Sequence, residues 1–168
     1  MTYRAHGFTI VELMIVVIVI GIVVSLGIVS FTQVQTNVRN DQRVADVTTI
    51  AEGLEDYYRA NGVYPSCTTM TQSVATVASL LDIEEGALTA PTAADGTNSI
   101  TCSLLTAGSG SDSYGYVGDL TSQCTAGTFC LEFTLQYRQE GTGAIITKES
   151  ENCGEISGDN QACYRPAG

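Results

Sequence analysis

The sequence predicts an α+β fold in which one long N-terminal helix packs on a small antiparallel β-sheet. An uncharged run extends from Leu13 to Phe31, and an amphipathic pattern follows it to about residue 61. Alternating apolar and polar residues then occupy 129–138. Periods of about 3.6 and 2 residues are typical of helices and half-buried strands respectively. A chain of 168 residues can form one modest globular domain plus one further element.

The chain is acidic, with 18 Asp and Glu against 7 Lys and Arg and a formal net charge of -11. This charge disfavours binding of the globular part to nucleic acid or to an anionic membrane surface. The six cysteines include no pair at the CxxC spacing, and the single histidine is His6, so we expect no metal site and no cofactor. The cysteines instead favour disulfides formed outside the cytoplasm.

The N-terminal apolar run is long enough to cross a membrane. From Phe8 to Phe31 it contains one charge, Glu12, and as a helix it would extend roughly 36 Å against a hydrocarbon core of about 30 Å. Arg4 on the short leading side predicts that the N-terminus stays in the cytoplasm. A cleaved signal peptide is disfavoured because the run is too long and lacks an A-x-A site. A permanent anchor and an assembling anchor both remain.

Glu12 is the unusual residue of this run. A carboxylate inside an apolar spanning segment costs a few kcal/mol unless it is paired, so we expect Glu12 to have a positively charged partner. The alternative is that it lies in the headgroup zone and is hydrated. A passive anchor has no use for this residue.

The segment from Gly7 to Leu13, GFTIVEL, resembles the processing and assembly motif of type IV pilins and of type II secretion pseudopilins. Four features coincide: a short leader with a basic residue, Gly before the cut, Phe after it and Glu four residues beyond Phe. The resemblance implies cleavage between Gly7 and Phe8 by a prepilin peptidase and N-methylation of the new terminus. It further implies that the amine of Phe8 pairs with Glu12, within a subunit or between neighbours, during assembly.

The resemblance also implies an organisation and a location. Residues 1–7 are the leader, 8–31 the transmembrane and filament-core helix, and 32–168 a pilin-like extracellular domain. The precursor would be a single-pass protein of the cytoplasmic membrane, and the mature chain would lie in an extracellular pilus. Its partners would be the prepilin peptidase, identical or related pilin subunits and the inner-membrane assembly platform. Val29 departs from the pattern, since many pilins carry a helix-perturbing Pro at that point.

Three functions compete. A structural subunit of a type IV pilus is the first, with adhesion, motility and DNA uptake all left open as its use. A pseudopilin of a type II secretion or DNA-uptake machine is the second. The third is an extracellular binding domain on a plain signal anchor, which predicts neither cleavage nor any effect of Glu12.

After the apolar run the helix is expected to continue amphipathically to Asn61. Apolar residues recur at spacings of three and four, and Glu55 and Arg59 add a pair at i and i+4. Asn61-Gly62 predicts the stop and Pro65 prevents continuation. The segment from Leu54 to Pro65 also resembles the point where pilin-like proteins leave this helix.

The second half of the chain predicts a loop and then a sheet. Residues 66–113 are expected to be a connecting loop with a short helix over 72–81. Alternation predicts a strand over 129–137, a turn at 140–143 predicts a hairpin, and 144–149 returns as its partner. Residues 114–117 can add a third strand.

The cysteine pairing is ranked by local loops. Cys124 and Cys130 bracket a short loop, Cys153 and Cys163 bracket an acidic one, and these leave Cys67 with Cys102. Six cysteines allow 15 pairings, so the connectivity stays open, and free thiols are the alternative. A terminal disulfide loop also resembles the one that shapes the exposed edge of many pilins.

No catalytic constellation is present in the sequence, so we expect no enzyme. The serines lack a base partner, and no GxSxG or phosphate-binding glycine loop occurs. Acidic residues near the C-terminus could offer oxygen ligands to calcium, but a solvated acidic tail is preferred because no D-x-D-x-D-G loop is present. These residues are Glu149, Glu151, Glu155 and Asp159.

Overall fold

The computed structural model describes residues 8–118 and 130–151, and for residues 26–31 it describes the backbone alone. The helices are α1 (Ile10–Asn61), α2 (Cys67–Met70) and α3 (Val74–Leu81), followed by a 3₁₀ helix (Glu85–Leu88). The strands are β1 (Ile100–Thr101), β2 (Tyr114–Gly118), β3 (Phe133–Arg138) and β4 (Ile145–Glu149). Contacts divide the chain into two compact units, Met1–Val38 and Arg39–Gly168, and we call the second unit the body.

Helix α1 has 52 residues and ends where the sequence predicts. Gly62 follows Asn61 with a φ of 74°, and its N–H donates to the carbonyl oxygen of Tyr58 at 2.7 Å. A positive φ suits Gly because it has no Cβ, and Pro65 then prevents the helix from resuming. At the other end α1 begins at Ile10, two residues after the predicted start.

The four strands form one sheet in the order β1-β2-β3-β4. Strands β2 and β3 pair antiparallel with Tyr116 opposite Leu135, and β3 and β4 pair antiparallel with Gln136 opposite Thr147. The predicted hairpin is therefore confirmed, with β4 matching the predicted return strand. Strand β3 begins at Phe133, later than predicted, and Cys130 before it makes an isolated bridge to Tyr64.

The expectation of a purely antiparallel sheet was wrong. Strand β1 pairs with β2 in parallel, with Ile100 opposite Tyr114, so the sheet is mixed. Residues 102–113 separate the two strands, which meets the dozen or so residues that a parallel crossover needs. Because β1 has only 2 residues, periodicity could not have shown it.

The body's core joins α1 to the sheet. Val47, Ile50 and Leu54 are at most 4% exposed and belong to one cluster with the inward side chains of β2 and β3. The predicted alternation of β3 is confirmed only in part: Phe133, Leu135 and Tyr137 are buried as expected, but Thr134 between them is buried as well. Burial of such side chains contributes roughly 1.5–3 kcal/mol each.

The region predicted as a loop contains several short elements. The predicted short helix is confirmed as α3, which begins after Ser73, whose Oγ accepts a hydrogen bond from the N–H of Thr76 at 3.3 Å. This is a typical N-cap contact. Helix α2, the 3₁₀ helix and β1 were not predicted, because each spans four residues or fewer.

No helix within residues 8–118 and 130–151 is found to be apolar over a long enough stretch to cross a membrane.

Candidate functional site at the start of the long helix

Thr9 caps the first turn of α1. Its side-chain Oγ1 accepts a hydrogen bond from the N–H of Glu12 at 3.2 Å, and its carbonyl oxygen accepts one from Leu13 at 3.2 Å. Thr followed three residues later by Glu is the sequence pattern of a capping box. Glu12 thus lies in the first turn, where the partial positive charge of the helix N-terminus favours a carboxylate.

Phe8 and Glu12 lie close together in the chain at the helix start. Phe8 precedes the first helical residue by two positions and is 76% exposed. Glu12 is also exposed. Gly7 lies outside the described residues, so the roles expected of Gly7, Phe8 and Glu12 in processing and assembly stay predictions.

The helix that follows exposes apolar side chains on every side. All the large hydrophobic residues from Phe8 to Val24 are exposed, from 46% at Val16 to 82% at Ile10. Glu12 is the single charged residue in this segment. A helix that is apolar all round is stable only where lipid or other protein surrounds it. We call residues 8–24 the apolar segment.

A second polar site in the body was missed by the sequence analysis. It consists of Arg39, Asn40, Arg43 and Glu140, which we call the Glu140 cluster. Arg39 Nη2 contacts Glu140 Oε2 at 2.6 Å, and Arg43 Nη2 contacts Oε1 at 2.5 Å. Asn40 Oδ1 accepts from the backbone N–H of Glu140 at 2.9 Å. Residues 39 and 43 share a helix face, but nothing in the sequence shows that Arg43 is buried.

The electrostatics of this cluster follow from these contacts. Hydrogen bonds from Arg39 and Arg43 lower the pKa of the Glu140 carboxyl below its usual range, against the smaller opposing effect of burial. Nearby, burial raises the pKa of Asp46, although Tyr114 donates a hydrogen bond to its Oδ2 at 2.7 Å. Each carboxylate thus accepts hydrogen bonds from a different element, Glu140 from α1 and Asp46 from β2.

The structure joins Cys67 to Cys102, the pair left over after the two shorter loops. Cys130 is also disulfide-bonded, and its predicted partner Cys124 lies outside the described residues. The pairing of Cys153 with Cys163 lies outside them as well. Both remain predictions.

The acidic residues considered as calcium ligands are only partly described. Glu149 and Glu151 lie within the described residues, and the backbone N–H of Glu151 donates to Glu55 Oε1 at 2.7 Å. Glu155 and Asp159 lie outside. Among residues 8–118 and 130–151, no group of three or more His, Cys, Asp or Glu is arranged to hold a metal ion.

Comparisons with known proteins bear on the N-terminal site. Residues 2–28 match the family described as "Prokaryotic N-terminal methylation motif". Over 64 residues, 38% of this chain, the sequence is 30% identical to Type II secretion system core protein G of Pectobacterium carotovorum subsp. carotovorum. That match spans 41% of the relative's length. No solved structure matches the chain.

The methylation motif covers the capped helix start, Glu12 and the apolar segment, which are the features that the sequence analysis compared with pilins. The similarity to a type II secretion subunit agrees with the same resemblance. Both matches support the resemblance to pilins and type II secretion pseudopilins, and each covers only part of this chain.

Proposed function

We propose that this chain is a filament subunit that is cut between Gly7 and Phe8 and assembled through the apolar segment of α1. The observation that carries the proposal is the exposure of every large hydrophobic side chain from Phe8 to Val24. Such a surface needs an apolar environment, first in a membrane and then among copies of the same helix. The methylation motif over residues 2–28 supports the same sequence of events.

Glu12 has a defined part in this proposal. Cleavage would leave a positive amine on Phe8, four residues before Glu12, which lies in the first turn of α1 at the positive end of the helix. In the apolar interior of a filament, an uncompensated charge costs several kcal/mol, so a subunit docked in the wrong register would be disfavoured. Glu12 therefore sets the axial register of an incoming subunit.

Two filament classes are compatible with this mechanism. The type IV pilus subunit is the function that the sequence analysis placed first. The pseudopilin of a type II secretion machine has a specific observation in its favour, because the relative at 30% identity is named as a core protein of that system. The relative makes the pseudopilin the stronger of the two. Either class would bring the prepilin peptidase, related subunits and an inner-membrane assembly platform as partners.

The processing step is tested by mass spectrometry of the native N-terminus. We expect a mature chain that begins at Phe8, and we expect Gly7→Val to leave the precursor uncut because a side chain there obstructs the peptidase. A mature wild-type chain that begins at any other residue would falsify the processing site.

The assembly step is tested with Glu12→Gln, which removes the charge but keeps the size. We expect normal cleavage and a large loss of assembled filaments in a shearing assay. Glu52→Gln is the matched control, since it removes the same charge from an exposed position of the same helix. Undiminished filaments from Glu12→Gln would exclude the proposed register mechanism.

Deletion of the gene in its native host distinguishes the two filament classes. A pilus subunit is expected to dominate the sheared surface filaments of the wild type, and these should vanish on deletion. A pseudopilin deletion should instead leave surface filaments in place and trap secreted enzymes in the periplasm. A strain with neither defect would contradict both assignments.

A further inference from the structure

Within the body, α1 is held in two chemically different ways. From Val47 onward its buried side chains are largely apolar, as at Ile50 and Leu54. Over residues 39–46 no large apolar side chain is buried, and Val44 is 44% exposed. Hydrogen bonds and ion pairs join this first stretch to the rest of the body. They are made by Arg39, Asn40, Arg43 and Asp46.

These polar contacts reach several separate segments of the body. Arg43 is fully buried, and its Nε donates to the carbonyl oxygen of Ser111 at 2.9 Å. Its Nη2 donates to Thr92 Oγ1 at 3.1 Å and to Glu140 Oε1 at 2.5 Å. Asp46 accepts from Tyr114 on β2. A single stretch of helix therefore organises two loops, a hairpin turn and a strand.

Glu140 is the group on which this arrangement depends. It is the carboxylate that contacts the buried guanidinium of Arg43, and it also contacts Arg39. A buried cation is retained only when its charge is compensated, so removing this carboxylate weakens the closed arrangement more than removing any single neutral partner. The apolar core beyond Val47 does not include these residues, so their release need not disturb it.

We propose that residues 39–46 form a conformational latch, which opens and closes on the body while the apolar core stays intact, with Glu140 as the group that holds it closed. The biological role of this latch rests on the proposed function, because a subunit that assembles through its helix needs residues 39–46 fixed to the rest of the body. The latch itself is a property of the single chain.

The backbone amide of residue 140 reports on the latch directly. Its N–H donates to Asn40 Oδ1 at 2.9 Å, so it is protected from exchange with solvent only while the latch is closed. The amide of Leu135 lies in β3 between β2 and β4 and reports on the core. Hydrogen exchange of both amides is measured by NMR on the full chain in detergent micelles.

We expect Glu140→Gln to accelerate exchange at residue 140 by about tenfold or more, the effect of losing hydrogen bonds to a charged group, and to leave Leu135 unchanged. Asp56→Asn is the matched control. It also removes one negative charge, but from an exposed pair with Arg59, and should change neither amide. Arg39→Gln, which keeps the Arg43 contact, should give a smaller acceleration at residue 140.

Two outcomes would overturn the latch. Equal acceleration at residues 140 and 135 would show that the cluster stabilises the whole body and does not open separately. Unchanged exchange at residue 140 in both Glu140→Gln and Arg39→Gln would show that Glu140 holds nothing closed. Both results are obtained on unassembled chains, so they are independent of whether cleavage and filament assembly occur as proposed.

Discussion

Removal of the disulfide between Cys67 and Cys102 should produce a large and calculable loss of stability. The bond joins the start of α2 to the residue after β1, and it closes a loop with a sequence separation of 35. In the chain-entropy account, the cross-link costs the unfolded chain about 2.1 + 1.5R ln n cal/mol/K, where n is the loop length. For this loop the result is about 3.8 kcal/mol at 25 °C.

The test uses the double variant Cys67→Ala with Cys102→Ala, so that no free thiol is left to exchange with other disulfides. We expect the free energy of unfolding, from urea titration without reductant, to fall by about 3–4 kcal/mol. The melting temperature should fall by roughly 8–15 °C for a chain of this size. Glu52→Ala at an exposed position of α1 should stay within about 0.5 kcal/mol of wild type. A loss below about 1 kcal/mol in the double variant would refute the reasoning.

Three further predictions concern the body. Tyr114→Phe should lower the free energy of unfolding by about 1–3 kcal/mol, since Asp46 loses a buried donor; equal urea midpoints would contradict this. Gly53→Ala should lower the free energy of unfolding by about 1–3 kcal/mol, because a Cβ there would lie 2.9 Å from Ile83 Cγ2. Gly21→Ala is the control, since a Cβ there would have no neighbour within 4 Å and should not lower the stability. The stability advantage of wild type over Glu140→Gln should be complete above the unfolded-state pKa of Glu140. Since the folded-state pKa is lowered, this advantage should be lost as pH falls through that lower value. In urea titrations, an advantage that did not begin to fall as the pH was lowered below the unfolded-state pKa would contradict the assignment of the stabilisation to the Glu140 carboxylate.

Much of this protein could be predicted from local patterns in the sequence. The end of α1 at Asn61, the helix α3 and the hairpin of β3 and β4 each rest on a chemical feature of neighbouring residues. Gly62 permits a positive φ, Ser73 Oγ accepts from the Thr76 amide in the first turn of α3, and alternation places Phe133 and Leu135 on one face. The N-terminal motif is likewise a contiguous stretch, which is why its resemblance to pilins and pseudopilins could be recognised before any coordinates were known.

The tertiary structure decided the features that depend on residues far apart in the chain. The parallel pairing of β1 with β2 arises from two residues that carry no periodic signal, so the sheet was expected to be antiparallel. The Glu140 cluster joins residues about a hundred positions apart, with |i−j| values of 97 to 101. Nothing in the sequence distinguishes Arg43 from the exposed cations of a helix. Only the packing of two loops and a hairpin turn around it removes its water, and burial is what makes its pairing with Glu140 matter.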